Sequence, residues 1–151
     1  MRNHRTDNST LMLTIVNHVP ELRRMSLWLD AASRQLGLPA GWLFKFDLCA
    51  GEAVTNIISY AYPDDSLHEI FLRMSFNGSS ASLEIEDDGI PFNPIDAPEH
   101  VQPASLEEAK LGGLGIKLMR RNMDQYNYVR RNGRNVLKMT AIIPQSAQDN
   151  D

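Results

Sequence analysis

Glu69-Ile70-Phe71-Leu72-Arg73-Met74-Ser75-Phe76-Asn77-Gly78-Ser79-Ser80-Ala81-Ser82-Leu83-Glu84-Ile85-Glu86-Asp87-Asp88-Gly89 is the stretch whose reading decides the fold. Glu69–Phe76 and Ser82–Asp87 read as strands, and Asn77-Gly78 between them is a strong hairpin signal, because both residues accept a positive φ. The pattern returns near the end of the chain, where Asn127–Arg131 and Val136–Ile143 flank Asn132-Gly133. Upstream, Thr10–Val16 is short and β-prone. Pro20–Leu36 places Leu22, Met25, Leu29, Ala32 and Leu36 at helical spacing, with Pro20 suited to a first turn. Gly37 and Pro39 interrupt it, and a second helix runs from about Pro39 to Ala61, stopping before Pro63. Gly112-Gly113 opens a third helix that ends near Asp124. Two hairpins call for a mixed, mainly antiparallel sheet, and about three helices must cover one of its faces. The expected fold is α+β, a two-layer α/β sandwich.

The chain has 151 residues, 42% of them hydrophobic, which suits one domain with one core. We place that domain at 10–144, with frayed polar tails at 1–9 and 145–151. The net charge of −4 argues against broad binding to nucleic acid or membrane surfaces. The single cysteine, Cys49, cannot form an internal disulfide. No apolar run approaches the roughly 20 residues that cross a bilayer, and Met1–Ser9 has no apolar signal core. The expected location is the cytoplasm.

Three local features carry chemistry. On the second helix, Phe44, Phe46, Leu48, Val54, Ile57, Ile58 and Tyr60 leave few polar directions, so the helix is expected to be largely buried. Lys45, Glu52, Asn56 and Ser59 then form one narrow polar stripe. Two arrangements account for it. Glu52 and Asn56 pair at i, i+4 at a core defect or toward solvent. Alternatively, the stripe walls a polar cleft, where the Asn56 amide oxygen ligates Mg²⁺ and Glu52 takes a proton from a hydroxyl or water. The second feature is Asp87-Asp88-Gly89 at the end of a strand. Such residues commonly make plain turns. By alternation, however, Asp87 shares the face of Leu83 and Ile85, where it can accept a hydrogen bond from an exocyclic amine. Gly89 lets backbone come close to a flat ring. The third is Leu111-Gly112-Gly113-Leu114-Gly115-Ile116-Lys117-Leu118, glycines at a helix start, which offer open N–H groups to an anion. No Gly-Lys-Ser/Thr follows, so it is not a P-loop, and it lacks the βαβ unit of a dinucleotide fingerprint.

Together these features are more specific than any one of them. Glu52-x-x-x-Asn56 on a helix, Asp87-x-Gly89 after a strand and Gly113-x-Gly115 at a helix start resemble the Bergerat-fold ATPases of the histidine-kinase-like superfamily. Gly51-Glu52-Ala53-Val54-Thr55-Asn56, Asp88-Gly89-Ile90-Pro91-Phe92 and Gly112-Gly113-Leu114-Gly115-Ile116 resemble the anti-sigma factor serine/threonine kinases among them. The likeness covers roughly Leu11 to Ile143.

That resemblance implies ATP and Mg²⁺ as cofactors. It makes Glu52 the catalytic base, Asn56 the metal ligand and Asp87 the reader of the adenine amino group, with Gly89 beside it. Gly113, Leu114, Gly115 and Ile116 would surround the phosphates, Asn93–Lys110 would be a lid, and Asn135 would sit near the base. The lid holds no arginine, so Lys110 or Lys117 would supply any cation at the γ-phosphate. The implied reaction is phosphorylation of a STAS-type anti-sigma factor antagonist. The implied partners also include a sigma factor or similar regulator, and the relatives are commonly homodimers. Arg23-Arg24 is a candidate partner surface or an ordinary solvated helix face. A nucleotide-gated binding module without transfer is the alternative, whereas a histidine kinase would need a phospho-accepting histidine on a long dimerisation helix. The Asn56 assignment predicts that Asn56→Ala abolishes the Mg²⁺ dependence of nucleotide binding. Titration with ATP in the presence and absence of Mg²⁺ checks it, and a dependence that persists refutes the metal role.

Overall fold

The computed structural model describes residues 10–95 and 115–144. In chain order the elements are β1 (Thr10–Val16), α1 (Glu21–Leu36), α2 (Ala40–Tyr60), β2 (Glu69–Phe76), β3 (Ser80–Asp87), α3 (Gly115–Asn122), β4 (Gln125–Arg131) and β5 (Arg134–Ile142). The strands form one five-stranded sheet in the order β1-β2-β3-β5-β4, antiparallel throughout. The expected α+β sandwich is the observed fold.

Turn chemistry explains the order. Asn132 and Gly133 adopt φ of 54° and 76°, and Arg131 pairs with Arg134 across them, a two-residue hairpin of the kind that follows strand twist. The first hairpin is wider, because Phe76 pairs with Ala81 and leaves four residues in the loop. Asn77 explains the difference. Its side-chain oxygen accepts N–H bonds from Ser79 at 2.9 Å and Ser80 at 2.8 Å, so it caps a broader turn. Only Gly78 of that loop needs a positive φ, at 91°.

One face of the sheet is dry. Ile15, Ile70, Leu72, Met74, Leu83, Ile85 and Met139 are buried there against Met25 and Leu29 of α1, Phe46 and Val54 of α2, and Met119 of α3. The opposite face carries Arg73 between Glu84 at 3.2 Å and Glu86 at 3.6 Å, and Arg134 lies over the Phe71 ring. Alternation along each strand separates the two faces. α1 ends at Gly37, whose φ of 83° lets Gly37 N–H and Leu38 N–H bond back to the Arg34 and Ser33 carbonyls.

Two expectations change. α2 is buried on only part of its circumference: Phe46, Cys49, Ala50 and Val54 are covered, but Phe44 is 68% and Tyr60 53% exposed. α2 meets the sheet on one side and α1 and α3 on its flanks, which leaves its outer side without a neighbour among the described residues. The Arg23-Arg24 pair also divides. Both are exposed, but Arg24 donates to the Thr14 carbonyl at 2.8 Å and pairs with Glu21 at 3.2 Å, so it fastens α1 to β1. The tails 1–9 and 145–151 lie outside the described residues, as does most of the lid stretch Asn93–Lys110. Among the described residues, no helix is long and apolar enough to cross a membrane.

Candidate functional site

β3 delivers Asp87 to the end of the dry face, as its alternation with Leu83 and Ile85 requires, and leaves it 3% exposed. A buried carboxylate needs donors, and Asp87 has two on one oxygen. Oδ1 accepts the Gly89 N–H at 2.8 Å and the Asn135 side-chain N–H at 3.0 Å. Burial is the main cause that pushes the Asp87 carboxyl above its ordinary value, and those two bonds pull against it. Asp87 lines a mostly apolar cavity with Ala53, Asn56 and Ile57 from α2, Ile85 from β3, Ile90 and Phe92 from the following turn, and Leu137 from β5.

The turn after Asp87 is docked on the end of α2. The Ile90 N–H donates to the Ala61 carbonyl at 2.9 Å. A Cβ placed on Gly89 would lie 2.5 Å from the Ala61 Cβ and 2.7 Å from the Ala61 carbonyl oxygen, closer than packed atoms approach. Glycine is therefore required by contact and not by dihedral angle. Behind the turn, His68 stacks on Tyr62 with centroids 4.1 Å apart. Its ring nitrogens lie 2.9 Å from Asp64 and 3.5 Å from Asp88. Asp88 thus faces away from the cavity, toward the loop that leads into β2.

The polar stripe of α2 does not act as one unit. Asn56 lines the cavity with Asp87. Glu52 opens instead on the neighbouring groove between α1 and α2, lined by Leu22, Met25, Ser26, Asp47, Gly51 and Thr55. One Glu52 oxygen, Oε1, is buried without a hydrogen-bond partner, and burial raises its carboxyl above the usual range. Lys45 lies over the Trp42 ring at 4.8 Å, and Ser59 is exposed. One turn of helix, about 5.4 Å, separates two side chains that serve different openings. The Glu52–Asn56 surface pair is not what forms.

Gly113, Leu114 and Lys110 lie outside the described residues, while Gly115 and Ile116 begin α3, with Lys117 in its first turn. Among the described residues, no group of three acidic, histidine or cysteine side chains is placed to hold a metal. An oxygen ligand such as Asn56 acting with phosphate oxygens and water needs no such group.

The family-model match spans residues 15–141 and is to the histidine kinase-like ATPase domain. The chain belongs to that family. Similar proteins are named as serine or serine/threonine kinases and as an anti-sigma factor. The serine/threonine-protein kinase BtrW of Bordetella bronchiseptica is 32% identical over 137 residues, 91% of this chain and 94% of that protein. The serine-protein kinase RsbW of Bacillus subtilis is 23% identical over 83% of this chain and 80% of its own length. An anti-sigma F factor of Oceanobacillus iheyensis is 23% identical over 58% of this chain and 60% of its own length.

Sequence reasoning placed Asn135 near the site but missed its neighbours. Tyr128 and Arg130 of β4 both reach Asn135, at 2.5 Å and 3.2 Å. The available signal was an asparagine opening the run Val136-Leu137, since a polar residue on a buried strand needs partners. The Gly89 contact predicts that Gly89→Ala lowers stability by about 1–3 kcal/mol, as overpacking does. Denaturant unfolding of the unliganded protein measures it, and an unchanged midpoint would show that Ala61 yields freely.

Proposed function

We propose that this chain is an ATP-dependent serine/threonine protein kinase that works as an anti-sigma regulatory factor, with the Asp87 cavity as its nucleotide site. The observation that carries this reading is the arrangement at Asp87. One carboxylate oxygen is held by two protein donors, and the residue lines a cavity with apolar walls. Such a pocket accepts a flat heterocycle, and the remaining oxygen reads an exocyclic amine. Adenine carries an amine at that position and guanine a carbonyl. Gly89 keeps the turn close enough to form one wall.

The same cavity fits the other groups. The Asn56 amide oxygen is a hard, neutral ligand beside the nucleotide, so it can hold Mg²⁺ without repelling phosphate. Gly115 and Ile116 open α3 and offer N–H groups to phosphate oxygens, Lys117 adds positive charge there, and the family resemblance assigns Gly113 and Leu114 to the same phosphates. When bound, Mg²⁺-ATP supplies the phosphoryl group and the charge neutralisation that its transfer requires. Glu52 then takes the proton of the acceptor hydroxyl. Glu52 lines the α1–α2 groove, where a protein segment can approach it from outside the nucleotide cavity, and one of its oxygens is buried without a partner.

The acceptor is a serine or threonine on a STAS-type anti-sigma factor antagonist. The nucleotide-loaded chain also sequesters a sigma factor or similar regulator, acts as a homodimer and resides in the cytoplasm. The kinase names of the relatives support the chemistry.

Ionised Asp87 binds adenine better than protonated Asp87, so affinity for adenine nucleotides falls as pH drops through its raised value, above the ordinary 3.8. The linkage sign for folding is opposite. With the folded value raised, the free protein is favoured below the unfolded pKa, and that stability is lost as pH rises through the folded value. Asp87→Asn removes both dependences and weakens ATP binding by about 1–3 kcal/mol at neutral pH. Calorimetric titrations of wild type and variant across pH check this, and equal affinities count against the adenine contact.

Catalysis is tested by incubating the protein with labelled ATP, Mg²⁺ and candidate antagonists. We expect label on a serine or threonine of the antagonist, and its loss in Glu52→Ala while ATP binding persists. ATP binding without label on any partner would favour the nucleotide-gated module.

A further inference from the structure

The side-chain amide of Asn135 is held from both sides in one orientation. On its oxygen side, Oδ1 accepts from the Tyr128 hydroxyl at 2.5 Å, the Arg130 guanidinium at 3.2 Å and the Phe92 N–H at 3.3 Å. On its nitrogen side, Nδ2 donates to the Ile90 carbonyl at 2.9 Å and to Asp87 Oδ1 at 3.0 Å. A guanidinium and a backbone N–H cannot accept hydrogen bonds, and a carbonyl cannot donate one. Rotating the amide by half a turn would set its oxygen against the Ile90 carbonyl and Asp87, and its NH₂ against Arg130 and the Phe92 N–H. The orientation is therefore fixed by chemistry.

Strand register builds the arrangement. Asp87 of β3 pairs with Asn135 of β5, and Asn135 pairs with Arg130 of β4, so the three residues form one row across three strands. Tyr128 precedes Arg130 by two residues and projects from the same face of β4. Arg130 Nη1 also donates to the Gly89 carbonyl at 2.7 Å, which ties the outer strand to the turn itself.

The consequence falls on Asp87. Two N–H donors on Oδ1 favour the ionised carboxylate, whose other oxygen is then purely an acceptor. If the Asn135 amide drew back from Oδ1, Asp87 would lose one of its two donors and its protonated form would be favoured. A protonated Asp87 could donate to the carbonyl of guanine. Burial, and to a smaller degree the neighbouring Asp88, disfavours the ionised form, and the Arg130 charge adds to the two N–H donors in holding the carboxylate charged.

We propose that Tyr128 and Arg130 are specificity-determining positioning residues, which hold the Asn135 carbonyl so that its N–H stays on Asp87 and Asp87 selects adenine over guanine nucleotides. This rests on the reading of Asp87 as the purine-recognising group. Neither residue lines the acceptor groove, whereas Tyr128, like Asn135, lines the nucleotide cavity, so the effect is on nucleotide binding and not on proton transfer.

The test is the ratio of GTP to ATP dissociation constants, measured by calorimetry with Mg²⁺ on the full chain. It covers wild type, Tyr128→Phe, Arg130→Lys, Arg130→Met and the Tyr128→Phe/Arg130→Met pair, each checked by thermal melting. Wild type should prefer ATP. In the double variant the preference should fall by about tenfold or more, which corresponds to about 1.4 kcal/mol. Arg130→Lys should keep most of it, because an ammonium also donates. Should the double variant fail to fold, the near-isosteric Tyr128→Phe gives the same readout with a smaller drop. Equal weakening of ATP and GTP, or an unmoved ratio in variants of an ATP-preferring wild type, overturns the positioning role and leaves the nucleotide site standing. A wild type that prefers GTP or binds neither nucleotide overturns the reading of the cavity, and this proposal with it.

Discussion

A carboxylate buried at the end of a central strand imposes conditions on everything around it. Asp87 lies beside the core, and its oxygen Oδ1 must be answered by donors that do not themselves titrate away. The backbone N–H of Gly89 answers from the next turn and Asn135 answers from the adjacent strand. The Gly89 bond needs a tight turn, and that turn needs a residue without a side chain where it meets Ala61. The Asn135 bond needs β5 beside β3, hence the return of the chain through α3 and β4. One polar group thus ties together the register of three strands, the end of a helix and the identity of a turn residue.

The cavity exists because these elements meet at an edge where the dry face of the sheet runs out. Apolar side chains from α2, β3 and β5 form its walls, and only a few polar atoms enter it. That balance suits a ring system with a small number of hydrogen-bonding positions. Helix α2 then does two things at once. Asn56 lies on the flank that faces the cavity, and Glu52, one turn earlier, lies on the flank that faces α1. On the proposed reading, a nucleotide and a protein substrate approach the same helix from different directions. A kinase needs such an arrangement if its acceptor is a segment of another folded protein.

Most of the architecture was legible because it rests on local rules. Helical spacing over Pro20–Leu36 and the proline before α2's successor set element boundaries to within a residue or two. Period-two alternation assigned Asp87 to the inner face, since Leu83 and Ile85 had to be there. The hairpin pair Asn132-Gly133 closed as a two-residue turn, but Asn77-Gly78 did not, because the Asn77 side chain captured two backbone N–H groups. The expectation of a largely buried α2 failed at Phe44 and Tyr60 for a reason no helical wheel contains. Burial depends on how many neighbours pack around a helix, and α2 has them on three sides.

The sequence by itself determined the fold class, the inner position of Asp87 and the candidates Glu52, Asn56 and Gly89, because periodicity and residue chemistry act over a few residues. Only the tertiary structure decided that Glu52 and Asn56 face different openings, and that Gly89 is glycine for want of space. It alone set Tyr128 and Arg130 on Asn135. Those facts depend on distances between segments far apart in the chain, which are fixed when strands choose neighbours and helices settle on the sheet.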